Sequence, residues 1–179
     1  EYSSYKIEYG NINKYRLIGI LGSGKYSMVF LGHYKNGFCA VKVLKSIQFE
    51  KIQKELYIMN RVQPIRYAVR LLDVNRDSLT GTLSIVTKFF NSESPKVLYP
   101  KLTLNDIRYY MYLILYAMDG CHSRGVMHRD IKPMNVLIDP KTKEISIIDW
   151  GLADLYYPMK QYSCKVSTMR YKAPELLIG

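Results

Sequence analysis

The sequence has few cysteines, few acidic residues and no long apolar segment. Its three cysteines, Cys39, Cys121 and Cys164, lie far apart, and neither a disulfide framework nor a zinc site has such spacing. We therefore predict reduced thiols in a reducing compartment. No apolar run reaches the roughly 18 residues that a membrane-spanning helix needs, and no apolar signal segment stands at the start. These absences favour a soluble, intracellular protein without a membrane partner.

Basic residues outnumber acidic ones, because 26 Lys and Arg stand against 15 Asp and Glu, a formal net charge of +11. Such a charge favours an anionic partner, namely nucleic acid, an acidic peptide or nucleotide phosphates. The same charge also suits an ordinary solvated surface that keeps a protein soluble. The 179 residues, 48% of them hydrophobic, suffice for one domain with a sizeable core.

The glycine-containing stretch GILGSGKYSMVF, near the start of the chain, fits two different phosphate-binding patterns. Gly19, Gly24 and Lys25 have the spacing of a Walker A loop. Gly22, Gly24 and Ser27 instead fit G-x-G-x-x-S, which is close to the G-x-G-x-x-G of protein kinases. Both patterns bind a nucleotide, but they belong to different chemistries.

The residues around this stretch favour the kinase pattern. They are β-prone on both sides, and Asn36-Gly37 predicts a hairpin that leads into a third strand, 38–44. A Walker A loop must instead run into a helix, and it needs Ser or Thr after its lysine, where this chain has Tyr26. We therefore predict an antiparallel sheet with the glycines between two strands.

Apolar periodicity predicts two longer helices, at 49–62 and at 103–123. The second begins at Thr103 and Asp106, which resemble a capping box. Each helix has an apolar stripe that we expect to be buried: Ile52, Leu56 and Met59 in the first, and Ile107, Met111, Ile114, Leu115 and Met118 in the second. Further strands are predicted at 69–74, 83–88, 136–138 and 145–148.

A strand lysine and a helix glutamate form the first candidate pair. Lys42 stands in AVKVLK, within the predicted third strand, and Glu55 stands in QKELYIM, within the first helix. A lysine held by such a glutamate can clamp the α- and β-phosphates of ATP. A lysine in a strand is more often a solvent-facing residue, so this pair is weak evidence by itself.

The segment HRDIKPMNVLID carries a stronger signal. Asp130, Lys132 and Asn135 match the kinase catalytic loop, in which H-R-D is followed five residues later by Asn. Asp130 would accept the proton of the attacking hydroxyl, Lys132 would balance charge on the γ-phosphate, and Asn135 would hold a magnesium ion. The alternative is a polar surface loop that has this pattern by chance.

Two later motifs complete the kinase order. In IIDWGLAD, Asp149 follows an apolar strand and would bind magnesium. Trp150 stands where most kinases have Phe. Either ring can pack as an apolar plug, but indole also has an N–H donor, and we expect that donor to anchor this turn through a hydrogen bond. YKAPELL supplies Ala173-Pro174-Glu175, the kinase A-P-E. Five signals thus occur in kinase order, namely the glycine stretch, the Lys42–Glu55 pair, HRD, DWG and A-P-E. We therefore interpret Leu21 to Val29, here called the glycine loop, as a lid over the phosphates.

The chain resembles the catalytic alpha subunit of casein kinase 2. The resemblance rests on GSGKYSMVF, the rare DWG, the run DIRYYMYLILYAMDGCHSRGVMHRD and the initial EYSSYKIEYGNINKYRL. It implies an α+β, two-lobed protein-kinase fold, with an N-lobe (1–88) of antiparallel sheet plus one helix. A helical C-lobe (89–179) would be incomplete after A-P-E, so we expect the isolated chain to be poorly active.

The resemblance implies phosphate transfer from ATP, with GTP possible, and Mg²⁺ to Ser or Thr in acidic surroundings. Positions 155–174, here called the activation segment, contain no acidic residue. We expect Lys165, Arg170 and Lys172 to bind acidic substrates there, although a solvated basic loop explains them too. Met169 replaces a basic residue of the family pattern, so we expect a weaker acidic preference.

Motifs and resemblance together predict the nucleotide and metal ligands. The nucleotide site would comprise Leu21, Gly22, Ser23, Gly24, Lys25, Tyr26, Ser27, Met28, Val29, Ala40, Lys42, Glu55, Lys88, Phe90, Leu137 and Ile148. Metal would be bound by Asn135 and Asp149.

Partners and location follow from the same resemblance. A regulatory beta subunit would dock on the N-lobe at Leu17, Phe30 and Val43, and the expected location is nucleus and cytoplasm. Three alternatives remain, namely a pseudokinase or scaffold, a small-molecule kinase and a basic nucleic-acid binder. The last lacks a recognition motif, so we expect no specific nucleic-acid partner.

Overall fold

The computed structural model describes residues 2–24, 26–35, 37–45 and 48–178, and it has a mixed α+β architecture. The chain forms two compact units. The first unit comprises Glu1–Tyr57 and Val69–Phe90, and the second comprises Ile58–Ala68 and Asn91–Gly179. The α+β class predicted from the sequence is therefore confirmed.

The first unit is built on a five-stranded antiparallel sheet of β1 (Arg16–Ser23), β2 (Ser27–Tyr34), β3 (Gly37–Leu44), β4 (Leu71–Arg76) and β5 (Leu83–Lys88). Its β2 and β3 form a hairpin in which Tyr34 pairs with Gly37. This is the hairpin predicted from Asn36-Gly37, although Asn36 itself lies outside the described residues. The order of the strands in the sheet is β1-β2-β3-β5-β4.

One face of this sheet carries a small buried cluster. Cys39 and Val41 of β3 and Val86 of β5 pack with Tyr15, which precedes β1. The Tyr15 hydroxyl donates to Asp73 Oδ2 at 2.8 Å, and burial together with this hydrogen bond raises the pKa of the phenol. Because side chains alternate along a strand, Lys42 lies on the opposite face.

The helix α1 (Phe49–Val62) has the predicted bounds, and its predicted stripe is buried. The segment before β1 is attached to this helix. Gln53 Nε2 donates to the backbone oxygens of Tyr5, at 2.7 Å, and Ser3, at 3.3 Å. The Tyr5 ring also contacts the Tyr57 ring edge-on at 5.6 Å between centroids. These contacts lie on either side of Glu55 in the helix sequence.

The second unit contains the longest helix, α3 (Leu104–His122), which starts at the predicted capping box. Thr103 Oγ1 accepts from Asp106 N at 3.2 Å, and Asp106 Oδ2 accepts from Thr103 N at 3.0 Å. Such reciprocal bonds satisfy N–H groups that the first turn leaves open. The other helices and strands of the second unit are α2 (Pro95–Leu98), β6 (Val126–Met127), β7 (Val136–Asp139), β8 (Glu144–Ile147), β9 (Asp154–Leu155) and α4 (Glu175–Ile178).

The predicted buried stripe of α3 is wrong at three of its five positions, whereas Ile114 and Met118 are partly buried and Ile114 packs against the core cluster. Ile107, Met111 and Leu115 are 45–63% exposed. The residues buried instead are Tyr110, Leu113, Ala117 and Cys121. The reason is that α3 has two apolar stripes, and the one containing Tyr110 and Leu113 packs on β7 and β8. That cluster consists of Leu98, Tyr110, Leu113, Val136, Ile138 and Ile145.

Candidate active site

In the first unit, β3 and α1 bring the predicted lysine and glutamate together. Lys42 Nζ lies 2.8 Å from Glu55 Oε1. The two side chains are only 25% and 11% exposed, so the pair is screened less by solvent than a surface ion pair. Ala40 lies two residues before Lys42 and Val29 pairs with Lys42 across β2 and β3, so all three lie on one face of the sheet.

The glycine loop occupies the end of β1, the tip and the start of β2. At the tip, Gly24 N donates to Ser27 O at 2.8 Å, which closes the turn. The Tyr26 side chain is exposed, whereas Lys25 lies outside the described residues. The other predicted nucleotide residues of this unit, Lys88 and Phe90, lie at the end of β5 and just beyond it.

In the second unit, the Asp130 carboxylate is held by three side chains. Lys132 Nζ donates to Oδ2 at 2.7 Å and Asn135 Nδ2 to the same oxygen at 3.1 Å. Thr168 Oγ1 donates to Oδ1 at 3.0 Å and accepts from Lys132 Nζ at 2.8 Å. Asp130 and Asn135 are buried. The three predicted catalytic residues therefore form one network, which Thr168 completes.

His128 connects this network to the turn that contains Asp149. Its Nδ1 accepts from Asp130 N at 3.3 Å, so Nε2 carries the proton that is donated to Ile148 O at 3.1 Å. The imidazole also packs edge-on against the Trp150 ring, 4.6 Å between centroids. Burial, opposed by the hydrogen bond to Ile148, lowers the pKa of His128. A neutral imidazole thus supports both backbone segments.

This neutral histidine predicts a pH-dependent stability. Because the pKa of His128 is lower in the folded protein, the unfolded chain binds more protons as the pH falls through about 6.5, the ordinary histidine value. The free energy of unfolding should therefore fall between pH 7.5 and pH 5.5, measured by urea unfolding. His128→Gln should be less stable at both pH values but should lose less between them. His122→Gln, at an exposed helix position, is the control and should keep the wild-type slope. An unchanged slope in His128→Gln would contradict this account.

Asn135 and Asp149 are brought close by the backbone of β7 and β8. Ile148 N donates to Asn135 O at 2.9 Å, so the residue beside Asp149 is bonded to Asn135. Both side-chain bonds of Asn135 use Nδ2, one to Asp130 O and one to Asp130 Oδ2. The amide oxygen of Asn135 is thereby the atom oriented to act as an acceptor.

This donor set fits a magnesium ion that also binds phosphate. Mg²⁺ prefers oxygen ligands and is commonly held by one or two carboxylates plus waters and phosphate oxygens. Asn135 Oδ1 and the exposed Asp149 carboxylate are ligands of that type. Within the described ranges, no group of three or more His, Cys, Asp and Glu side chains could hold a metal ion alone. The protein would thus supply only part of the coordination.

The prediction that the indole N–H of Trp150 anchors the turn is wrong. Trp150 is 1% exposed, and its Nε1 has no hydrogen-bond partner among the described residues. The ring acts instead as an apolar side chain packed on His128. The turn is held by the bond from His128 to Ile148 O and by the bond from Ala153 N to Trp150 O at 3.0 Å.

Backbone strain occurs beside these side chains. Arg129, Asp149 and Ser167 have φ values of 65°, 63° and 65°, in the left-handed region that non-glycine residues rarely adopt. Arg129 directly precedes Asp130, and Ser167 directly precedes Thr168. Such strain costs on the order of 1–3 kcal/mol per residue and persists where surrounding contacts fix the conformation. Four other non-glycine residues of the described chain also have positive φ, so this conformation by itself does not mark a functional site.

Sequence reasoning missed the ion pair that fixes the start of the activation segment. Arg129 donates from Nε to Leu152 O at 2.7 Å, and its terminal nitrogen lies 3.2 Å from Asp154 Oδ2. Tyr162 extends this anchorage, because its hydroxyl donates to Leu155 O and accepts from Tyr157 N, both at 2.7 Å. In the sequence, Arg129 stood out only as the middle residue of the HRD motif. No pattern near it in the sequence identified Asp154 as its partner.

The predicted substrate residues do not form one cluster of free cations. Lys172 Nζ donates to Cys164 O at 2.8 Å and is half-buried. Lys165 and Arg170 are exposed. The structure thus assigns Lys172 a structural contact and leaves two exposed cations.

The remaining predicted residues have differing exposure. Leu137 of β7 and Ile148 are half-buried in the second unit. On the first unit, Leu17 is exposed, whereas Phe30 and Val43 pack against the Tyr15 cluster. Two of the three proposed docking residues therefore contribute to the core of their own unit.

A family model described as "Protein kinase domain" matches residues 15–179, which is nearly all of the chain. The matched range spans the glycine loop, Lys42, Glu55, the HRD segment, DWG and A-P-E, but not residues 1–14. In the part of the chain that the structure covers, none of the helices combines the length and the hydropathy that crossing a membrane would demand.

Proposed function

Because this chain belongs to the protein kinase domain family, we propose that it transfers the γ-phosphate of ATP to serine and threonine hydroxyls in acidic sequence contexts. Family membership implies protein kinase activity with ATP and a divalent metal. The residue type phosphorylated, the acidic context, the choice of Mg²⁺ and the individual residue roles are our proposal.

The hydrogen bonding of Asp130 carries this proposal. An ionised carboxylate offers about four acceptor positions, and three donors occupy Asp130, namely Lys132, Asn135 and Thr168. About one position is left for a substrate hydroxyl. A fixed carboxylate that accepts this bond orients the attacking oxygen and takes its proton as the P–O bond forms.

The other polar residues would bind and orient the nucleotide. Lys42, fixed by Glu55, would contact the α- and β-phosphates, and the backbone of the glycine loop would cover them. Lys132 would balance charge on the γ-phosphate. Asn135 Oδ1 and the Asp149 carboxylate would hold Mg²⁺, which neutralises phosphate charge when it is bound.

Two observations support the acceptor class. Thr168 places an aliphatic hydroxyl directly on the Asp130 carboxylate and the Lys132 ammonium, so this network already accommodates a group of the same chemistry as Ser or Thr. The resemblance to the casein kinase 2 alpha subunit points to the same acceptors. Lys165 and Arg170 are exposed cations in a segment without acidic residues, which suits an acidic peptide.

The acidic preference can be tested with a pair of peptides. A serine peptide flanked by Asp and Glu should be phosphorylated with a higher kcat/KM than the same peptide flanked by Asn and Gln. The double variant Lys165→Glu/Arg170→Glu should reduce that ratio by about threefold to tenfold, because each exposed pair contributes about 0.2–1 kcal/mol. The reduction should appear in KM for the peptide.

A matched variant separates local recognition from net charge. Lys96→Glu/Lys141→Glu changes the charge of the second unit equally at two exposed positions outside the activation segment. It should keep the wild-type ratio. If both double variants lose the preference for the acidic peptide equally, the preference reflects only long-range attraction. If Lys165→Glu/Arg170→Glu keeps the wild-type ratio of kcat/KM values, Lys165 and Arg170 do not bind the acidic substrate. Low activity is expected of the isolated chain, so the proposed activity is refuted only if wild type that is folded at the assay temperature transfers no phosphate at all.

The resemblance supports further proposals about organisation. We propose lobe boundaries at 1–88 and 89–179, use of GTP beside ATP, and a nuclear and cytoplasmic location. A regulatory beta subunit would have Leu17 as its exposed contact, since Phe30 and Val43 are partly covered.

A further inference from the structure

Lys45, the residue after β3, makes two hydrogen bonds to the tip of the glycine loop. Its backbone N–H donates to Tyr26 O at 2.9 Å. Its ammonium donates to Gly24 O at 3.0 Å. The two acceptors lie on either side of position 25, so Lys45 contacts the tip through both its backbone and its side chain.

The side-chain contact continues where strand pairing stops. Pairing of β1 with β2 ends at Ser23 and Met28, and pairing of β2 with β3 ends at Ser27 and Leu44. The backbone bond from Lys45 to Tyr26 extends the β2–β3 pairing by one hydrogen bond. The side chain of Lys45 then donates to Gly24 O, and the N–H of Gly24 bonds to Ser27 O.

We propose that Lys45 is a positioning residue that keeps the glycine loop in this turn and thereby strengthens nucleotide binding. The inference rests on the proposed kinase function, in which this loop covers the phosphates. The bond from the ammonium to the carbonyl is charge-assisted, but it is exposed to solvent, so we assign it the strength of an ordinary hydrogen bond. A loop that is already ordered loses less conformational entropy when the nucleotide binds. Lys45 acts through the loop backbone, so its effect falls on KM for ATP and not on the chemical step.

Substitution of Lys45 should separate KM from kcat. Lys45→Met keeps the length and the backbone bond but removes the ammonium. It should raise KM for ATP about threefold to tenfold, the range of one modest hydrogen bond, and change kcat by less than about twofold. Lys45→Arg retains a charged donor and should recover most of the affinity. Lys51→Met, at an exposed position of α1, removes the same charge and should behave as wild type.

Hydrogen–deuterium exchange tests the clamp without any turnover. In the nucleotide-free protein, amides of residues 22–28 should exchange faster in Lys45→Met than in wild type or Lys51→Met. If exchange rises in this way and even wild type transfers no phosphate, the clamp stands and the kinase proposal fails. The role of Lys45 is overturned if exchange in Lys45→Met equals that of wild type, or if Lys51→Met raises KM for ATP as much as Lys45→Met does. It is also overturned if Lys45→Met lowers only kcat.

Discussion

Replacement of Asp130 by asparagine is expected to lower kcat for peptide phosphorylation by about 10²- to 10⁴-fold, the usual contribution of a general base. The variant preserves the size and one acceptor oxygen of the side chain. It removes the charge that would take the proton from the substrate hydroxyl. Nucleotide binding should change little, because Asp130 is not among the residues assigned to the nucleotide. Rapid-quench phosphorylation and equilibrium ATP binding, measured on the same protein, would show this separation.

The interpretation of Asp130→Asn depends on folding, since the residue is buried and paired with Lys132. Removal of one partner of a buried pair destabilises a protein. Thermal unfolding must therefore show a folded variant at the assay temperature. Asp119→Asn, at an exposed position of α3, is the matched control and should keep wild-type activity. If Asp130→Asn stays folded and has the same kcat as an active wild type, Asp130 is not the general base. If neither protein transfers phosphate, a scaffold role is supported instead.

The helices show how far apolar patterning predicts structure. The predicted bounds of α1 (49–62) and the burial of its predicted stripe are both observed, although Ile58 and Val62 are buried as well. Residues 104–122 have apolar side chains on two sides, so periodicity predicts a helix but not which side is buried. Packing on β7 and β8 decides that, and those strands lie more than a dozen residues further along the chain.

The candidate site shows a similar limit. Asp130, Lys132 and Asn135 lie within six positions, and their motif predicts the local network. Thr168 joins them from 38 residues away, and Asp154 meets Arg129 from 25 residues away. No local pattern encodes such contacts, because they depend on how the activation segment folds back on its own unit.

Trp150 illustrates an error of a different kind. The indole N–H is a donor, and the sequence could not show that its environment would hold no acceptor. The structure leaves Nε1 unpaired among the described residues and uses the ring for packing on His128. Side-chain chemistry thus predicts what a residue can do, whereas its neighbours determine which property is used.

Replacement of Asp149 by asparagine is expected to reduce phosphate transfer by about a hundredfold or more. A metal ion contributes several kcal/mol of charge stabilisation, and about 1.4 kcal/mol corresponds to a factor of ten in rate. The backbone of Asp149 is in the left-handed region, which Asn tolerates about as well as Asp, so the turn should keep its shape. The loss should therefore reflect the missing carboxylate charge.

A magnesium titration distinguishes this loss from disruption of the turn. If Asp149 is a metal ligand, Asp149→Asn should require a higher Mg²⁺ concentration for half-maximal activity. Binding of ATP measured without a divalent metal should be unaffected. Asp139→Asn, in the same unit at the end of β7, is the control and should keep the wild-type Mg²⁺ dependence. An identical dependence in Asp149→Asn and wild type would remove Asp149 from the metal site. Asn135 would then remain as the proposed protein ligand, because its Nδ2 donates to Asp130 O and Asp130 Oδ2 and leaves Oδ1 available as an acceptor.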